Sequence, residues 1–305
     1  MPISFKEDHI SQIPALLMLE KFGYTYLTPD EALALRGGNL ANVLLEPVLR
    51  KQLAAINVVQ VSSVRTTVFS EQNITAGIDA LRNIPMDEGF MEASQTVYDL
   101  LTSGKTLEQI VDGDRKSFVM QYIDWKNPRN NVFHVTEEFA VSRTGMTDTY
   151  RPDIVLFVNG IPLCIIECKR PDVKDSIEQA ISQHLRNQKA DGIRSLYLYS
   201  TLLLAINRQE GSYATTATPE KFWARWREQF ADREEEARYR QELERVVNEP
   251  LLDDKLFGER FGYVRRNFEE LYRQPVTPSV QDEYLYNLCR PERLLQLMYG
   301  FTLYD

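Results

Sequence analysis

Arg151-Pro152-Asp153-Ile154-Val155-Leu156-Phe157-Val158-Asn159-Gly160-Ile161-Pro162-Leu163-Cys164-Ile165-Ile166-Glu167-Cys168-Lys169 consists of two apolar runs joined by a single dipeptide. Asn-Gly between such runs is the strongest short-range hairpin signal. Asp153 to Val158 and Ile161 to Lys169 are therefore predicted to be adjacent antiparallel strands. Asp153, Glu167 and Lys169 bracket an otherwise apolar hairpin. Side chains alternate faces along a strand, so Glu167 and Lys169 should point one way and Cys168 the other. Asp153 lies six residues before Asn159 and Glu167 seven after Gly160, which brings the two carboxylates to the same end of the hairpin.

Two carboxylates at such a point can share a hard divalent cation such as Mg²⁺. The cation would lower the pKa of a bound water and neutralise charge on a phosphate. Lys169, expected as an exposed lysine at the strand end, can orient or deprotonate the attacking water and stabilise the developing charge. Burying two carboxylates and a lysine without such a task is expensive. The competing reading is a cross-strand salt-bridge cluster.

Outward from the hairpin, Ser11 to Phe22 reads as a helix capped by Gly23. A second helix is predicted over Leu40 to Ile56, broken or kinked at Pro47, and a third over Glu92 to Leu101. Asn131–Val135 and Phe139–Val141 read as one extended strand. Asp175 to Gln188 is a predicted helix with Ile177, Ile181 and Leu185 on one face. Ser195 to Asn207 is a predicted fourth strand with a bend near Ser200-Thr201. Beyond a small polar boundary at Thr215–Thr218 no strand pattern appears. Pro219 should open a helix, Asp232 to Val247 reads as a solvated helix, and a last one begins near Pro291. These readings divide the chain into 1–215 and a mostly helical extension, 216–305.

The chain has 305 residues, 43% hydrophobic and 26% charged, the balance of a globular protein with a real core. No apolar run reaches the ~20 residues of a membrane-spanning helix, and the N-terminus lacks the pattern of a signal peptide. Three cysteines are too few for a disulfide framework, so a cytoplasmic location is expected. The net charge of −9 argues against a surface coated for nucleic acid but not against a local site.

Asp153 with Glu167-Cys168-Lys169, preceded by Pro152, resembles the PD-(D/E)xK nuclease motif. The segments Leu40 to Asn57, Val119 to Val141 and Arg151 to Pro171 narrow the resemblance. Over roughly residues 8 to 210 they resemble the N-terminal nuclease domain of the restriction (R) subunit of type I restriction–modification enzymes. The resemblance implies an α/β restriction-endonuclease-like core, a central mixed sheet flanked by helices. It implies a type I site-specific deoxyribonuclease acting on duplex DNA beside methyltransferase and specificity subunits. Asp153 and Glu167 would hold Mg²⁺, the Cys168 carbonyl could join them, Lys169 would assist the water, and Gln183 would support the site. The family pairs that glutamine with a tyrosine four residues on; here Asn187 stands there. In the family an ATP-driven motor follows, so ATP is expected only in a full-length subunit. The resemblance at Arg293–Leu295 and Phe301–Asp305 suggests an N-terminal fragment or truncated product. Two other readings are a silent nuclease-like docking module and an unrelated metal-dependent DNA nuclease.

Several features read as structural. Gly104-Lys105-Thr106 lacks the earlier glycine of a P-loop, with Asp99 in its place, and reads as a helix cap. Cys164 and Cys168 share a strand face without further zinc ligands. His134 and His184 have no nucleophile partner. Glu46 reads equally as an extra acid at the metal or as a paired glutamate. Arg50-Lys51 and Arg265-Arg266 read as solvated.

Overall fold

Positive φ at both Asn159 (53°) and Gly160 (85°) closes the expected two-residue turn. Asn159 is buried; its side chain accepts from the Val132 N–H (2.9 Å) and donates to the Tyr122 carbonyl (2.9 Å) and Asn131 Oδ1 (2.8 Å). At Gly160 a Cβ would lie 2.6 Å from the Leu45 carbonyl oxygen. The Leu45 N–H donates to the Gly160 carbonyl at 2.9 Å, so the turn is also a docking point for the next layer.

The computed structural model describes residues 11–62, 64–250 and 255–302; the extreme N-terminus and the final Leu303-Tyr304-Asp305 lie outside them. In chain order come α1 (Ile13–Lys21), β1 (Thr25–Leu27), α2 (Pro29–Ala34) and α3 (Glu46–Ile56). A hairpin of β2 (Val58–Ser62) and β3 (Arg65–Val68) precedes α4 (Glu71–Arg82) and α5 (Phe90–Ser103). A second hairpin pairs β4 (Lys105–Val111) with β5 (Asp114–Met120). Then follow β6 (Phe133–Glu137), the two-residue strands β7 (Val141–Ser142) and β8 (Thr149–Tyr150), β9 (Ile154–Val158) and β10 (Ile161–Cys168). After α6 (Ser176–Asn187), the helical turn α7 (Arg194–Tyr197), β11 (Leu202–Ile206) and β12 (Gly211–Ala214) come α8 (Arg233–Val247), α9 (Arg265–Leu271), α10 (Val280–Leu288) and α11 (Pro291–Phe301).

Six strands form a central mixed sheet in the order β1-β6-β9-β10-β11-β12. The β1–β6 and β10–β11 pairs are parallel; the other three are antiparallel. Every residue of β9 and β10 is buried, which is why both read as unbroken apolar runs rather than alternating ones. Helix α6 lays Ile177, Ala180 and Ile181 against Ala205 of β11. Helix α1 packs on β1 and β6 and is covered by α8 and α10.

The hairpin contains one irregularity with large consequences. Val158 pairs with Ile161 and Phe157 with Pro162, but Leu156 pairs with Cys164. Leu163 is an extra residue, a bulge. Beyond it the register runs Val155–Ile165 and Ile154–Ile166, so its continuation sets Asp153 opposite Glu167.

Several expectations need correction. The helix over Leu40 to Ile56 begins only at Glu46: Pro47 lies in its first turn, where a missing N–H costs nothing, and starts the helix instead of kinking it. The strand from Asn131 to Val141 is two pieces, because Glu138 takes a left-handed φ of 48° and ends β6. Ser195 to Asn207 is the turn α7 followed by a strand that starts at Leu202. Pro219 opens a single 3₁₀ turn, Glu220–Phe222.

Replacing Gly160 by alanine forces a Cβ into left-handed backbone and against the Leu45 carbonyl. The expected loss is above about 2 kcal/mol, since the conformation alone costs ~1–2 kcal/mol. Urea unfolding of Gly160→Ala against the parent measures it; an unchanged midpoint would show that α3 yields at no cost.

Candidate active site

The hairpin register and one peptide unit build the site. Asp153 sits just before β9, and its Oδ2 accepts from the Cys168 N–H at 2.7 Å and from Lys169 Nζ at 3.3 Å. Lys169 Nζ also donates to the Cys168 carbonyl at 3.0 Å. The side chains of Lys169 and Asp153 are 13% and 17% exposed. The lysine is therefore largely buried and paired, not the exposed strand-end residue expected, because its head turns back onto the Asp153–Cys168 pair. Glu167 is fully buried. Its Oε2 accepts from Gln183 Nε2 on α6 at 2.6 Å, whereas its Oε1 has no hydrogen-bond partner among the described residues. Burial pushes the Glu167 carboxyl well above its usual range, and the Asp153 carboxyl adds to the effect.

Groups distant in sequence hold these pieces in place. The Gln12 side chain donates to the Asp153 carbonyl (3.0 Å), and the Ser11 hydroxyl donates to the Lys169 carbonyl (2.7 Å). Gln281 of α10 in turn donates to the Ser11 carbonyl at 2.9 Å. The Glu138 N–H donates to the Asp153 carbonyl at 3.0 Å, and burial followed by the Asp153 charge raises the Glu138 pKa. A cavity of about 380 Å³ opens over Asp153, Cys168 and Lys169, walled by Gln12, Glu137, Glu138, Arg260 and Phe261. Gln12, Glu137, Glu138 and Arg260 gave no sequence signal, since nothing in their local spacing ties them to the hairpin.

Asp153 and Cys168 line the cavity, with the Glu167 carboxyl buried beside them; the two carboxylates and the Cys168 carbonyl are all hard oxygens. Among the described residues no group of three or more His, Cys, Asp or Glu side chains could hold a metal ion. A cation at this point would rest on the pair, the peptide oxygen and water. Cys164 and Cys168 are buried free thiols. Glu46 faces a different cavity, bonded to Asn42 and Arg82. His184 is buried, with Nε2 3.0 Å from the Leu204 carbonyl and Nδ1 2.9 Å from the Tyr197 hydroxyl. A carbonyl can only accept, so Nε2 carries the proton and Nδ1 accepts from Tyr197. Burial drops this histidine to a pKa of about 4, leaving it neutral. Asn187 is also buried, and its Oδ1 accepts from the Arg186 guanidinium at 3.3–3.4 Å.

The sequence profile of the family described as "Type I restriction enzyme R protein N terminus" matches residues 4–222. The chain belongs to this family. Its relatives include the MjaIXP and MjaVIIIP endonuclease subunits named as parts of type I restriction enzymes of Methanocaldococcus jannaschii. They are 27% and 30% identical over 72% and 56% of this chain. The HindI endonuclease subunit of a Haemophilus influenzae type I restriction enzyme is 28% identical over 65% of it. The matched segments cover 20%, 15% and 18% of those relatives, so the chain spans about a fifth of their length or less. Asp153, Glu167, Lys169 and Gln183 all fall inside the family-matched region, whereas Arg260 lies beyond it.

In a metal-free buffer, Glu167→Gln should stabilise the protein, by about 1.5 °C in Tm for each ~1 kcal/mol gained. The amide keeps the Gln183 contact and has no proton to take up on burial. The sign follows from linkage: a carboxyl whose folded pKa is raised binds its proton more tightly in the folded state. The parent is then most stable at low pH and loses stability as pH rises from the unfolded carboxyl value of ~4.3 toward the raised folded value. The gap between variant and parent should widen between pH 5 and 8 in thermal melts with EDTA. A parent that gains stability over that range relative to the variant would place the Glu167 charge in a favourable field instead.

Proposed function

We propose that this chain is a PD-(D/E)xK nuclease domain that hydrolyses phosphodiester bonds of duplex DNA with Mg²⁺, as part of the R subunit of a type I restriction enzyme. The observation that carries this reading is the buried Glu167, held by Gln183 and opposite Asp153 in register, with Oε1 left without a partner. A carboxylate so costly to bury calls for a positive ligand, and the hard-oxygen donor set suits Mg²⁺ better than a softer metal. Family membership supports the nuclease reading.

When bound, Mg²⁺ would supply Lewis-acid activation of water and neutralise phosphate charge. Asp153, Glu167 and the Cys168 carbonyl would hold it. Lys169 carries the chemistry on the protein's side. Its Nζ is fixed between Asp153 Oδ2 and the Cys168 oxygen, so it can orient the attacking water and stabilise the negative charge that grows on the phosphoryl oxygens. The water oxygen bonds to phosphorus as the P–O bond to the leaving sugar oxygen breaks, and the proton given up by water balances the one taken by that oxygen. Gln183 would hold the Glu167 carboxylate in position. Target recognition, methylation and ATP-driven translocation would belong to partner subunits and to the part of the R subunit that the relatives have beyond the matched segment. A cytoplasmic setting fits the three buried free cysteines.

Lys169→Ala in a complete R subunit, assembled with its partners, should lower DNA cleavage by ~10²–10³ and leave ATP turnover on the same DNA unchanged. Nicking of a supercoiled target plasmid and phosphate release, read on one preparation, separate the two activities. Retained cleavage would remove Lys169 from the mechanism. The parent should also lose cleavage in EDTA and regain it with Mg²⁺.

The isolated chain, at a net charge of −9, should bind duplex DNA weakly, at ~10⁻⁴–10⁻⁶ M, with an affinity that falls steeply with salt. Tight, salt-insensitive, sequence-specific binding in a fluorescence titration would instead favour a self-sufficient nuclease of another class.

A further inference from the structure

The wall of the cleft opposite Lys169 comes from a segment beyond the family-matched residues. Leu256–Arg260 forms a short helical turn whose Leu256 and Phe257 are buried, and Phe261 follows them into the core. Lys255 fastens its start, donating to Glu31 and to the Tyr26 carbonyl at 3.1 Å. The backbone position of Arg260 is thus set by packing on both sides.

Arg260 is held by one edge only. Its Nε donates to Glu137 Oε1 at 2.8 Å, and the same oxygen accepts from the Tyr26 hydroxyl at 3.1 Å. Glu137 is fully buried at the end of β6, so the guanidinium is anchored on a carboxylate that cannot leave. The two Nη groups make no hydrogen bond to any described residue, and the side chain is 45% exposed. Arg260 lines the catalytic cavity and also the adjoining one of about 430 Å³, where Arg36 and Arg151 stand. Arg151 is 62% exposed and 3.8 Å from Glu138.

We propose that Arg260 is a phosphodiester-binding residue: it grips a DNA backbone phosphate flanking the scissile one, through the Nη edge that faces the cleft. The assignment rests on the reading of duplex DNA as substrate. A planar fork pre-oriented on one side matches two phosphate oxygens with little ordering left to do. The cleft also needs such a cation. Glu137, Glu138 and Asp153 line the same cavity, and an approaching phosphate would otherwise meet mostly negative charge. The ridge between the two cavities gives the backbone a path from Lys169 over Arg260 toward Arg151.

Arg260→Ala alone would strand the buried Glu137 charge, so the comparison is Glu137→Gln against Glu137→Gln/Arg260→Ala, both in the 305-residue chain. The glutamine keeps the Tyr26 contact and needs no counter-ion. Binding to a fluorescein-labelled duplex is measured by anisotropy in EDTA across a salt series. Loss of Arg260 should weaken binding by about 5–10-fold and reduce the slope of log affinity against log salt by about 1. A role confined to neutralising Glu137 would move neither reading between these two proteins. Arg260→Lys in the otherwise native chain keeps the charge without the fork, and should retain the slope while losing part of the affinity. Equal affinity and slope for the pair, with the parent still binding DNA, would overturn the assignment and leave the nuclease reading standing. A parent that binds no duplex even at low salt would overturn that reading and this assignment with it.

Discussion

Between β9 and β10 the pairing shifts by one residue at Leu163, and the geometry of the candidate site depends on that shift. With the two-residue turn alone, continued pairing would set Ile166 across from Asp153. The bulge moves Glu167 into that position instead. Because strand side chains alternate, a one-residue error also exchanges the faces: Glu167 would turn toward the core that holds Cys168, and an apolar side chain would face Gln183. The surrounding burial enforces the register. Every side chain of the two strands is enclosed, so a slipped pairing would misplace an entire set of apolar groups on both sides of the sheet. The turn that starts the hairpin is locked by the buried Asn159 network and by α3 against Gly160.

The same hairpin joins opposing demands. Its apolar body stabilises the sheet, while its open end places a carboxyl in a fully buried position with half its hydrogen-bonding capacity unmet. Net hydrogen bonds contribute ~1 kcal/mol each, but an unmet buried group costs ~1–3 kcal/mol. The local loss is tolerated because the helices around it are tied to the site by specific bonds. Gln183 reaches from α6, Gln12 and Ser11 from the start of α1, and Gln281 from α10 closes the chain of contacts. Residues near both ends of the described chain thus take part in holding one strand end.

Much of this was legible in the sequence. Asn159-Gly160 fixed the central hairpin, and the Asp153, Glu167 and Lys169 spacing pointed to its open end. The apolar face of α6 could be read directly, Ile177 and Ile181 packing as their spacing implied. Other features were encoded locally but passed over: Asp112-Gly113, with φ of 55° and 88°, closes the β4–β5 hairpin by the same rule as Asn159-Gly160. Pro47 could be read as a kink or a start, and only the preceding irregular segment, fastened to Gly160, decides for the start. The walls of the site were not legible at all. Glu138 is distinguished by a left-handed backbone that strand propensity does not announce, and Arg260 is joined to Glu137 across 123 positions. Tyr197 meets His184 from a neighbouring element, a hydroxyl that a search by spacing along α6 cannot find.

The Cys168 peptide unit has a consequence of its own. Its N–H binds Asp153 and its carbonyl binds Lys169, yet its thiol is turned into the core on the other side of the sheet. The centre of the site is therefore written in the path of the main chain, where amino-acid replacement does not reach. The packing at position 168 asks only for a small apolar side chain that fills the same space. A side-chain replacement at 168 would therefore leave in place the peptide unit from which Asp153 and Lys169 take their common reference.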